Sequence, residues 1–329
     1  MEEQEFAVSP FGNVSFFDIP SILINLKFRQ IVILKNYVVY ALLGIKTVDN
    51  FPEVAFGLLK NRGRIVMKFR DGSQYEVAGK NLKRTLYLLL HIKDKKYDIL
   101  MRKDFGCVEF DFDKQKIVLE GPDCLGLAYD VFFRREYGKL FCKGRTVIDI
   151  GANIGDTAVY FAAGGAKTVI AFEPYPYSYS LAKRNIEKNG FGNVLVLNAG
   201  AGGNNHTIIV DEKKVTVGGS QLSASDSGRK VPILSLESIV CKYLKNERGV
   251  LKMDCEGYEY EILLSAPNEA IRAFDEMMVE FHYGHANLEK RLKECGFEVR
   301  IIIRPSYFYC EGWKYPHGRV GMLYAKRRV

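Results

Sequence analysis

Paired cysteines are missing from this sequence. Its seven cysteines are odd in number, scattered between positions 107 and 310, and none stands in a C-x-x-C arrangement. This pattern excludes a disulfide framework and a structural zinc site. It favours a reducing compartment, and we therefore predict a cytoplasmic protein.

No apolar run in the chain is both long and free of polar residues. The strongest candidate, residues 22–43, is interrupted by polar side chains, among them Lys27, Arg29, Gln30, Lys35 and Asn36. Each central Lys or Arg costs roughly 2.5–3.5 kcal/mol on insertion into a bilayer. We therefore predict that a helix over Leu23–Leu43 packs in the core and that the chain does not span a membrane. The acidic start of the chain (Glu2, Glu3, Glu5) is unlike a signal peptide.

Charge of one sign is not concentrated in any block. The net charge is +8, and residues 1–145 have 24 Lys and Arg against 18 Asp and Glu, whereas residues 146–329 have 23 against 21. The basic stretches of the first part do not match a known nucleic-acid module. Nucleic acid is therefore an alternative partner that we do not favour, because a solvated basic surface explains the same charges.

The apolar stretch Thr146–Ile150 runs into a turn that lacks the middle glycine of a dinucleotide site. The turn reads D-I-G-A-N-I-G, with Asn153 where a G-x-G-x-x-G motif has the glycine that admits a pyrophosphate. A strand that ends in such a turn and opens a helix lets a nucleotide-like ligand approach the backbone. The pattern suits S-adenosylmethionine, whose ammonium would meet Asp149 and whose carboxylate would meet backbone N–H groups. It disfavours a nicotinamide cofactor.

A second apolar strand ends in the acid Glu173, 22 residues after Gly151. At this spacing an acid can hydrogen-bond the ribose hydroxyls of an adenosine. The stretch Thr157–Ala163 between the two strands has the pattern of a helix closed by glycines. Turn and acid together therefore predict a site for an adenosine-type ligand.

Strands and helices alternate from here to the C-terminus. We predict further strands at 194–199, 249–254, 277–282 and 297–303, with 319–324 as a seventh. Residues at the carboxyl ends of such strands meet over one edge of a sheet. The polar residues there are Asp149, Glu173, Asn198, Asp254, Glu256, Glu280 and His282. The sequence thus predicts an α/β enzyme with a doubly wound, Rossmann-like, seven-stranded sheet.

The first third of the chain has a different pattern. Two hairpins are predicted, one over Arg64–Val77 and one over Cys107–Leu119. We place a domain boundary after them, near a Gly-Pro pair. Residues 1–121 are predicted to form a smaller α+β domain that selects the acceptor substrate or forms a dimer. Residues 122–329 are predicted to form the ligand-binding domain.

Three stretches resemble the FkbM-type S-adenosylmethionine-dependent methyltransferases: Val147–Thr157, Ala171–Pro174 and Leu251–Glu259. The third is the most diagnostic, because it carries a K-x-D-x-E-G-x-E pattern. Its members are Lys252, Asp254, Glu256, Gly257 and Glu259. The resemblance covers roughly residues 125–304. It implies a class I methyltransferase fold that uses S-adenosylmethionine.

The resemblance also implies roles for individual positions. The methionine end of the cofactor would lie on the glycine turn, Glu173 and Pro174 would meet the ribose, and Asn198 and Ala199 would flank the adenine. The turn residues in this predicted cofactor site are Asp149, Gly151, Ala152, Asn153, Gly155 and Thr157.

Candidates for the catalytic base lie at the ends of the fourth and fifth strands. Asp254, Glu256 and His282 are each placed to remove a proton from an acceptor, a contribution typically worth ~10²–10⁴-fold in rate. His282 has a pKa suited to neutral pH without help, whereas Glu256 also fits the first turn of a helix, where acids are stabilised. Glu280, His282 and His285 are spaced too loosely for convincing metal ligands, and we predict no metal.

Two motifs of nucleic-acid methyltransferases are missing. The fourth strand ends in D-C-E instead of N/D-P-P-Y/W, and no Pro-Cys pair supplies a nucleophile for cytosine C5. Their absence favours an oxygen acceptor, and the family resemblance implies methyl transfer to a hydroxyl oxygen of a sugar, glycan or small metabolite. Two alternatives stay open, an RNA-modifying methyltransferase that holds RNA with its basic first third and a catalytically silent cofactor-binding subunit. A homodimer is compatible with the sequence.

Overall fold

The computed structural model describes residues 41–60, 63–78, 82–94, 99–101, 106–212, 222–302 and 320–328. Residues 41–47 are helical, and the rest of the predicted Leu23–Leu43 helix lies outside the described residues. Within these ranges, no helix is long and apolar enough to cross a membrane. The six cysteines that the structure describes are all free thiols.

The first third forms two small antiparallel sheets, and both predicted hairpins are confirmed. Its elements are α1 (Phe51–Leu59), β1 (Arg64–Lys68), β2 (Gln74–Ala78), α2 (Leu82–Asp94), β3 (Ile99–Met101), β4 (Cys107–Phe112) and β5 (Gln115–Glu120). β1 pairs with β2, and β4 pairs with both β3 and β5. The short β3 was not predicted.

A seven-stranded sheet forms the rest of the fold, together with a smaller sheet. The strands are β6 (Thr146–Ile150), β7 (Thr168–Phe172), β8 (Val194–Leu197), β9 (Gly200–Gly202), β10 (His206–Val210), β11 (Arg229–Ser235), β12 (Gly249–Met253), β13 (Phe274–Phe281), β14 (Phe297–Ile302) and β15 (Gly321–Arg327). The large sheet has the order β14-β15-β13-β12-β6-β7-β8, with β15 antiparallel to both neighbours. The other neighbouring pairs are parallel. The predicted seven-stranded, doubly wound sheet is confirmed.

Helices lie along the sheet on both faces. They are α3 (Cys124–Leu127, continued by a π-helical segment, Ala128–Phe133), α4 (Asp156–Ala163), α5 (Pro176–Lys188), α6 (Leu236–Ile239, continued by a π-helical segment, Val240–Leu244), α7 (Glu259–Ser265), α8 (Asn268–Arg272) and α9 (Ala286–Glu294). Strands buried on both faces are apolar throughout rather than alternating. In β6, Val147 faces one buried cluster and Ile148 the other, which is why this strand reads as a continuous apolar run.

The two predicted domains share one packing unit. Asn185 on α5 and Asn189, which follows α5, accept hydrogen bonds from the backbone N–H groups of Glu120 and Val118 in β5, at 2.8 and 2.9 Å. One buried apolar cluster includes residues of both parts, from Val48 onward. The domain boundary after residue 121 stays a prediction, but the apolar core is continuous across it.

The smaller sheet, in the order β10-β11-β9, was not predicted. The third strand was expected to continue to residue 199, but β8 ends at Leu197 and the chain then leaves the large sheet. An added Cβ at Gly200 or Gly202 would lie 2.6 or 2.7 Å from side-chain atoms of Ile233. Because glycine has no side chain, β11 can approach β9 at these positions.

Candidate active site

The turn after β6 has a shape that requires glycine. Gly151, Asn153 and Gly155 have φ angles of 82°, 48° and 84°, in the left-handed region that glycine occupies without a steric penalty. A Cβ at Gly151 would lie 1.8 Å from the carbonyl oxygen of Asp254, and one at Gly155 would lie 2.9 Å from the Cα of Ala182. The turn therefore lies directly against the end of β12 on one side and against α5 on the other.

Three backbone N–H groups of the turn are hydrogen-bonded to carbonyl oxygens of the protein. Those of Gly151 and Ala152 both donate to the carbonyl oxygen of Phe172 at 3.0 Å, and that of Gly155 donates to the carbonyl oxygen of Ala152 at 2.7 Å. We had expected N–H groups here to hold a ligand carboxylate. The three N–H groups instead join the turn to β7 and close it on itself.

Glu173 follows β7 and is 5% exposed. Its carboxylate accepts hydrogen bonds from the backbone N–H groups of Asn153 and Tyr175, both at 2.9 Å. Burial raises the pKa of Glu173 to about 7, although both hydrogen bonds act in the opposite direction. Glu173, which is predicted to bind the ribose of the cofactor, thus also fixes the glycine turn.

Asp149 is completely buried and lies beneath the turn, paired with a lysine that was not among the predicted site residues. Lys252 Nζ lies 3.1 Å from Asp149 Oδ1 and donates to the carbonyl oxygen of Gly151 at 2.6 Å. Thr157 Oγ1 donates to the other carboxylate oxygen of Asp149 at 2.6 Å. Burial lowers the pKa of Lys252, but the carboxylates of Asp149, Asp254 and Asp156 raise it by more, so Lys252 is a buried cation. The lysine of the K-x-D-x-E-G-x-E pattern was the signal that could have identified it.

Besides Asp149 Oδ1, which faces Lys252, two buried oxygens near the turn have no hydrogen-bond partner among the described residues. They are Oδ1 of Asn153 and Oδ1 of Asp156. Asp156, at the start of α4, is 3% exposed, and burial raises its pKa to about 7. Buried polar atoms without a partner are uncommon in folded proteins, so these two mark a place where a ligand with hydrogen-bond donors fits. Asp156 was not predicted.

Asn198 joins the ends of β7 and β8. Its amide nitrogen donates to the backbone carbonyls of Glu173 and Pro174 at 3.1 and 2.9 Å. Ala199 beside it is 4% exposed. All predicted cofactor residues therefore lie along the β6–β7–β8 edge. We call Asp149, Asn153, Asp156, Glu173 and Lys252 the turn cluster.

A second group of side chains lies at the ends of β12 and β13. His282 is 2% exposed, and its Nε2 lies 3.0 Å from Glu256 Oε2 while its Nδ1 lies 2.9 Å from Glu259 Oε1. Burial lowers the pKa of His282, but its hydrogen bonds to the two glutamates raise it, with a net result of about 11. With Asp254 and Glu280, these residues form what we call the histidine cluster.

One expectation about this group, the start of the helix, was wrong. The helix predicted from residue 256 begins at Glu259, and Glu256 instead precedes it with a φ of 57°. The helix dipole therefore does not account for Glu256, which faces His282. His285, considered with Glu280 as a metal ligand, turns to Glu289, with 2.9 Å between Nδ1 and Oε2.

The strand order, with its single reversed strand, and the glycine turn at the β6 edge define a class I methyltransferase fold. In agreement with this, residues 149–299 match the family model described as the Methyltransferase FkbM domain. That segment, a little under half of the chain, resembles the FkbM methyltransferase family.

Curated relatives carry methyltransferase names. "Methyltransferase 1" of Beauveria bassiana is 25% identical over 207 residues, which are 55% of this chain and 80% of that protein. The hexuronic acid methyltransferase AglP of Haloferax volcanii is 26% identical over 155 residues, 46% of this chain and 63% of that protein. Among solved structures, Trm5b from Pyrococcus abyssi matches with a TM-score of 0.38 and 14% identity, over 67% of this chain and 55% of that one.

Proposed function

We propose that the chain transfers the methyl group of S-adenosylmethionine to a hydroxyl oxygen of a sugar or small metabolite. One observation carries the proposal: the glycine turn and the histidine cluster touch each other. The carbonyl oxygen of Asp254 occupies the space that a side chain at Gly151 would fill. A ligand on the turn would therefore present its reactive end to the carboxylates of Asp254 and Glu256.

The β6–β7–β8 edge has the donors and acceptors that an adenosine cofactor needs. In this proposal Glu173 would bind the ribose hydroxyls and Asn198 would flank the adenine, while the buried oxygens of Asn153 and Asp156 suit an ammonium group. Asp149, expected to bind that ammonium, is already paired with Lys252. We therefore assign Asp149 the role of fixing Lys252 and, through it, the carbonyl oxygen of Gly151. When bound, S-adenosylmethionine would supply the electrophilic methyl group.

Removal of the acceptor proton falls to a carboxylate rather than to His282. The imidazole is hydrogen-bonded to Glu256 and Glu259 through both nitrogens, and its raised pKa keeps it protonated at neutral pH. It therefore positions Glu256, whose side chain is 23% exposed. Glu256 and Asp254 are the proposed bases, and a positioned base typically contributes ~10²–10⁴-fold.

A sugar acceptor is supported by the name of the relative from Haloferax volcanii, a hexuronic acid methyltransferase. Sugars carry several hydroxyls of similar reactivity, so the protein must align one of them with the methyl donor. Such alignment supplies much of the rate. A site with the partly buried carboxylates of Asp254 and Glu256 suits hydrogen bonds to neighbouring hydroxyls.

The first experiment is calorimetric titration with S-adenosylhomocysteine. The wild type should bind, and Glu173→Gln should weaken binding about tenfold, the loss of roughly 1.4 kcal/mol that one charged hydrogen bond provides. Glu187→Gln, an exposed position on the neighbouring α5, is the matched control and should bind as the wild type does. Absence of binding by the folded wild type would refute the proposal.

Turnover is tested with a panel of free and glycosidic hexuronic acids and neutral sugars, with mass spectrometry for an added methyl group. Asp254→Asn or Glu256→Gln should lower kcat by about 10²-fold or more while leaving cofactor binding intact. Cofactor binding without transfer to any acceptor would instead favour a silent cofactor-binding subunit.

A further inference from the structure

The histidine cluster contains three side chains with the arrangement of a metal site. Asp254 comes from the end of β12, and Glu280 and His282 come from the end of β13. One potential ligand atom from each lies within 4.8 Å of the other two. Glu280 and His282 are buried, at 4% and 2% exposure, unlike the exposed acidic groups that are common on protein surfaces.

The imidazole is oriented as a metal-binding histidine usually is. Glu259 is completely buried, and its Oε1 accepts from both Nδ1 and the backbone N–H of His282, at 2.9 and 3.0 Å. Its Oε2 accepts from the backbone N–H of Gly257 at 2.9 Å. A carboxylate that holds one ring nitrogen fixes the tautomer and leaves the other nitrogen to the metal. Here the nitrogen left over is Nε2.

Nε2 faces the carboxylate of Glu256. Glu256 Oε2 lies 3.0 Å from it, and Asp254 and Glu280 complete the group. The carboxylates of Asp254, Glu256 and Glu280 and the imidazole together form a mixed oxygen and nitrogen donor set, of the kind that binds divalent cations. With its side chain 23% exposed, Glu256 has room either to turn aside or to join as a fourth ligand.

We propose that Asp254, Glu280 and His282 bind one divalent cation, for which Mn²⁺ is the best match. Two carboxylates favour a hard ion, the imidazole nitrogen favours a transition metal over Ca²⁺ or Mg²⁺, and no thiolate is included to select Zn²⁺. This replaces the prediction of no metal, which weighed His285 as a ligand and did not include Asp254.

The cation would have a defined task in methyl transfer, and this part of the inference rests on the proposed function. A metal-bound hydroxyl is more acidic than a free one, as metal-bound water shows. Coordination of the acceptor oxygen would hold it beside the glycine turn. Glu256, released from Nε2, would then take the proton.

The test is calorimetric titration of the full chain with MnCl₂ after removal of metals by a chelator, with MgCl₂ and ZnCl₂ in parallel. We expect saturable binding of one Mn²⁺ per chain. Glu280→Gln and Asp254→Asn should each weaken it at least tenfold. Glu289→Gln removes a carboxylate near His285 instead of His282 and is the matched control, with unchanged affinity.

Thermal melts of the same samples establish that the variants are folded, and Asp254→Asn, which is only partly buried, tests the site if Glu280→Gln does not fold. Saturable Zn²⁺ or Mg²⁺ binding in place of Mn²⁺ that responds to the same variants would uphold the site and correct the choice of ion. Absence of saturable binding of all three ions to the wild type, or affinities unchanged in both variants, would overturn it.

Titration of the metal-free samples with S-adenosylhomocysteine separates this inference from the proposed function. Cofactor binding without saturable binding of any of the three ions refutes the cation site alone. Mn²⁺ binding without cofactor binding leaves the cation site standing and refutes the proposed function and the cation's assigned task.

Discussion

The turn cluster and the histidine cluster satisfy their buried charges in different ways. In the turn cluster, Asp149 is paired with Lys252 and Glu173 is bound by two backbone N–H groups. In the histidine cluster, Asp254, Glu256, Glu259 and Glu280 surround one imidazole. Buried charges are stable when they are paired and hydrogen-bonded. The first cluster thus holds its own shape, whereas the second concentrates negative charge where an acceptor or a cation is expected.

Removal of Lys252 should break the turn cluster and have the largest effect on stability. Lys252→Met leaves Asp149, Asp156 and Asp254 without their shared buried cation, and loss of one partner of a buried pair typically costs about 3–5 kcal/mol. Urea denaturation measures the loss. Lys167→Met, which removes an exposed pair with Glu247, should cost less than about 1 kcal/mol.

A double variant sharpens this prediction. Adding Asp149→Asn to Lys252→Met removes one of the uncompensated charges, so the double variant should be more stable than Lys252→Met alone. If the double variant instead loses as much stability as the two single variants together, Asp149 and Lys252 do not stabilise each other. Their ion pair would then not explain the effect of removing the lysine.

Substitution of Gly151 should have the next largest effect. Gly151→Ala combines a left-handed φ with a Cβ placed 1.8 Å from the carbonyl oxygen of Asp254, so the turn and the end of β12 must separate. Gly144→Ala is the comparison, because its φ of 72° is similar but nothing lies within 4 Å of an added Cβ. Gly144→Ala should cost about 1–2 kcal/mol, and Gly151→Ala should cost about 2 kcal/mol more and also abolish cofactor binding. Equal losses of stability in Gly151→Ala and Gly144→Ala would show that the turn accommodates the added Cβ at no extra cost.

The contrast between the clusters also explains which parts were predictable. Strands, turn glycines and Glu173 are local signals, since apolar runs and spacings of 4 and 22 residues can be read directly from the sequence. The pairing of Lys252 with Asp149 depends on the register of β12 beside β6, where these residues are direct partners. Register between strands about 100 residues apart is not a local signal.

The histidine cluster was only half predictable for the same reason. Glu280 and His282 are close in sequence, but Asp254 joins them across the β12–β13 pair. The left-handed Glu256 and the later start of α7 were missed, since E-G-Y-E fits a helix start as well as it fits a loop. The β10-β11-β9 sheet was missed because glycine-rich β9 has little strand signal.

The pH dependence of stability should distinguish the clusters through Glu173. Its pKa is raised from 4.5 to about 7 in the folded protein, so between these values the folded state binds more protons than the unfolded state. Stability from this group is therefore fully present below pH 4.5 and is lost as the pH rises to about 7. From pH 5 to pH 8 the wild type should lose about 1–3 kcal/mol relative to Glu173→Gln, measured by urea denaturation at both values. Parallel pH profiles of the two proteins would contradict the raised pKa.

The smallest expected effect concerns Asn198, which links the turn cluster to β8. Asn198→Ala removes hydrogen bonds to two backbone carbonyls at the predicted adenine position and should cost about 1 kcal/mol of stability. Asn193→Ala removes a hydrogen bond to the carbonyl oxygen of Ala166 before the start of the same strand and should cost a similar amount. Because ligands bind at the carboxyl ends of the strands, only Asn198→Ala should also weaken S-adenosylhomocysteine, severalfold by calorimetry. Equal affinities in the two variants would show that the adenine does not bind beside Asn198. The description of the stability of the turn cluster would be unaffected.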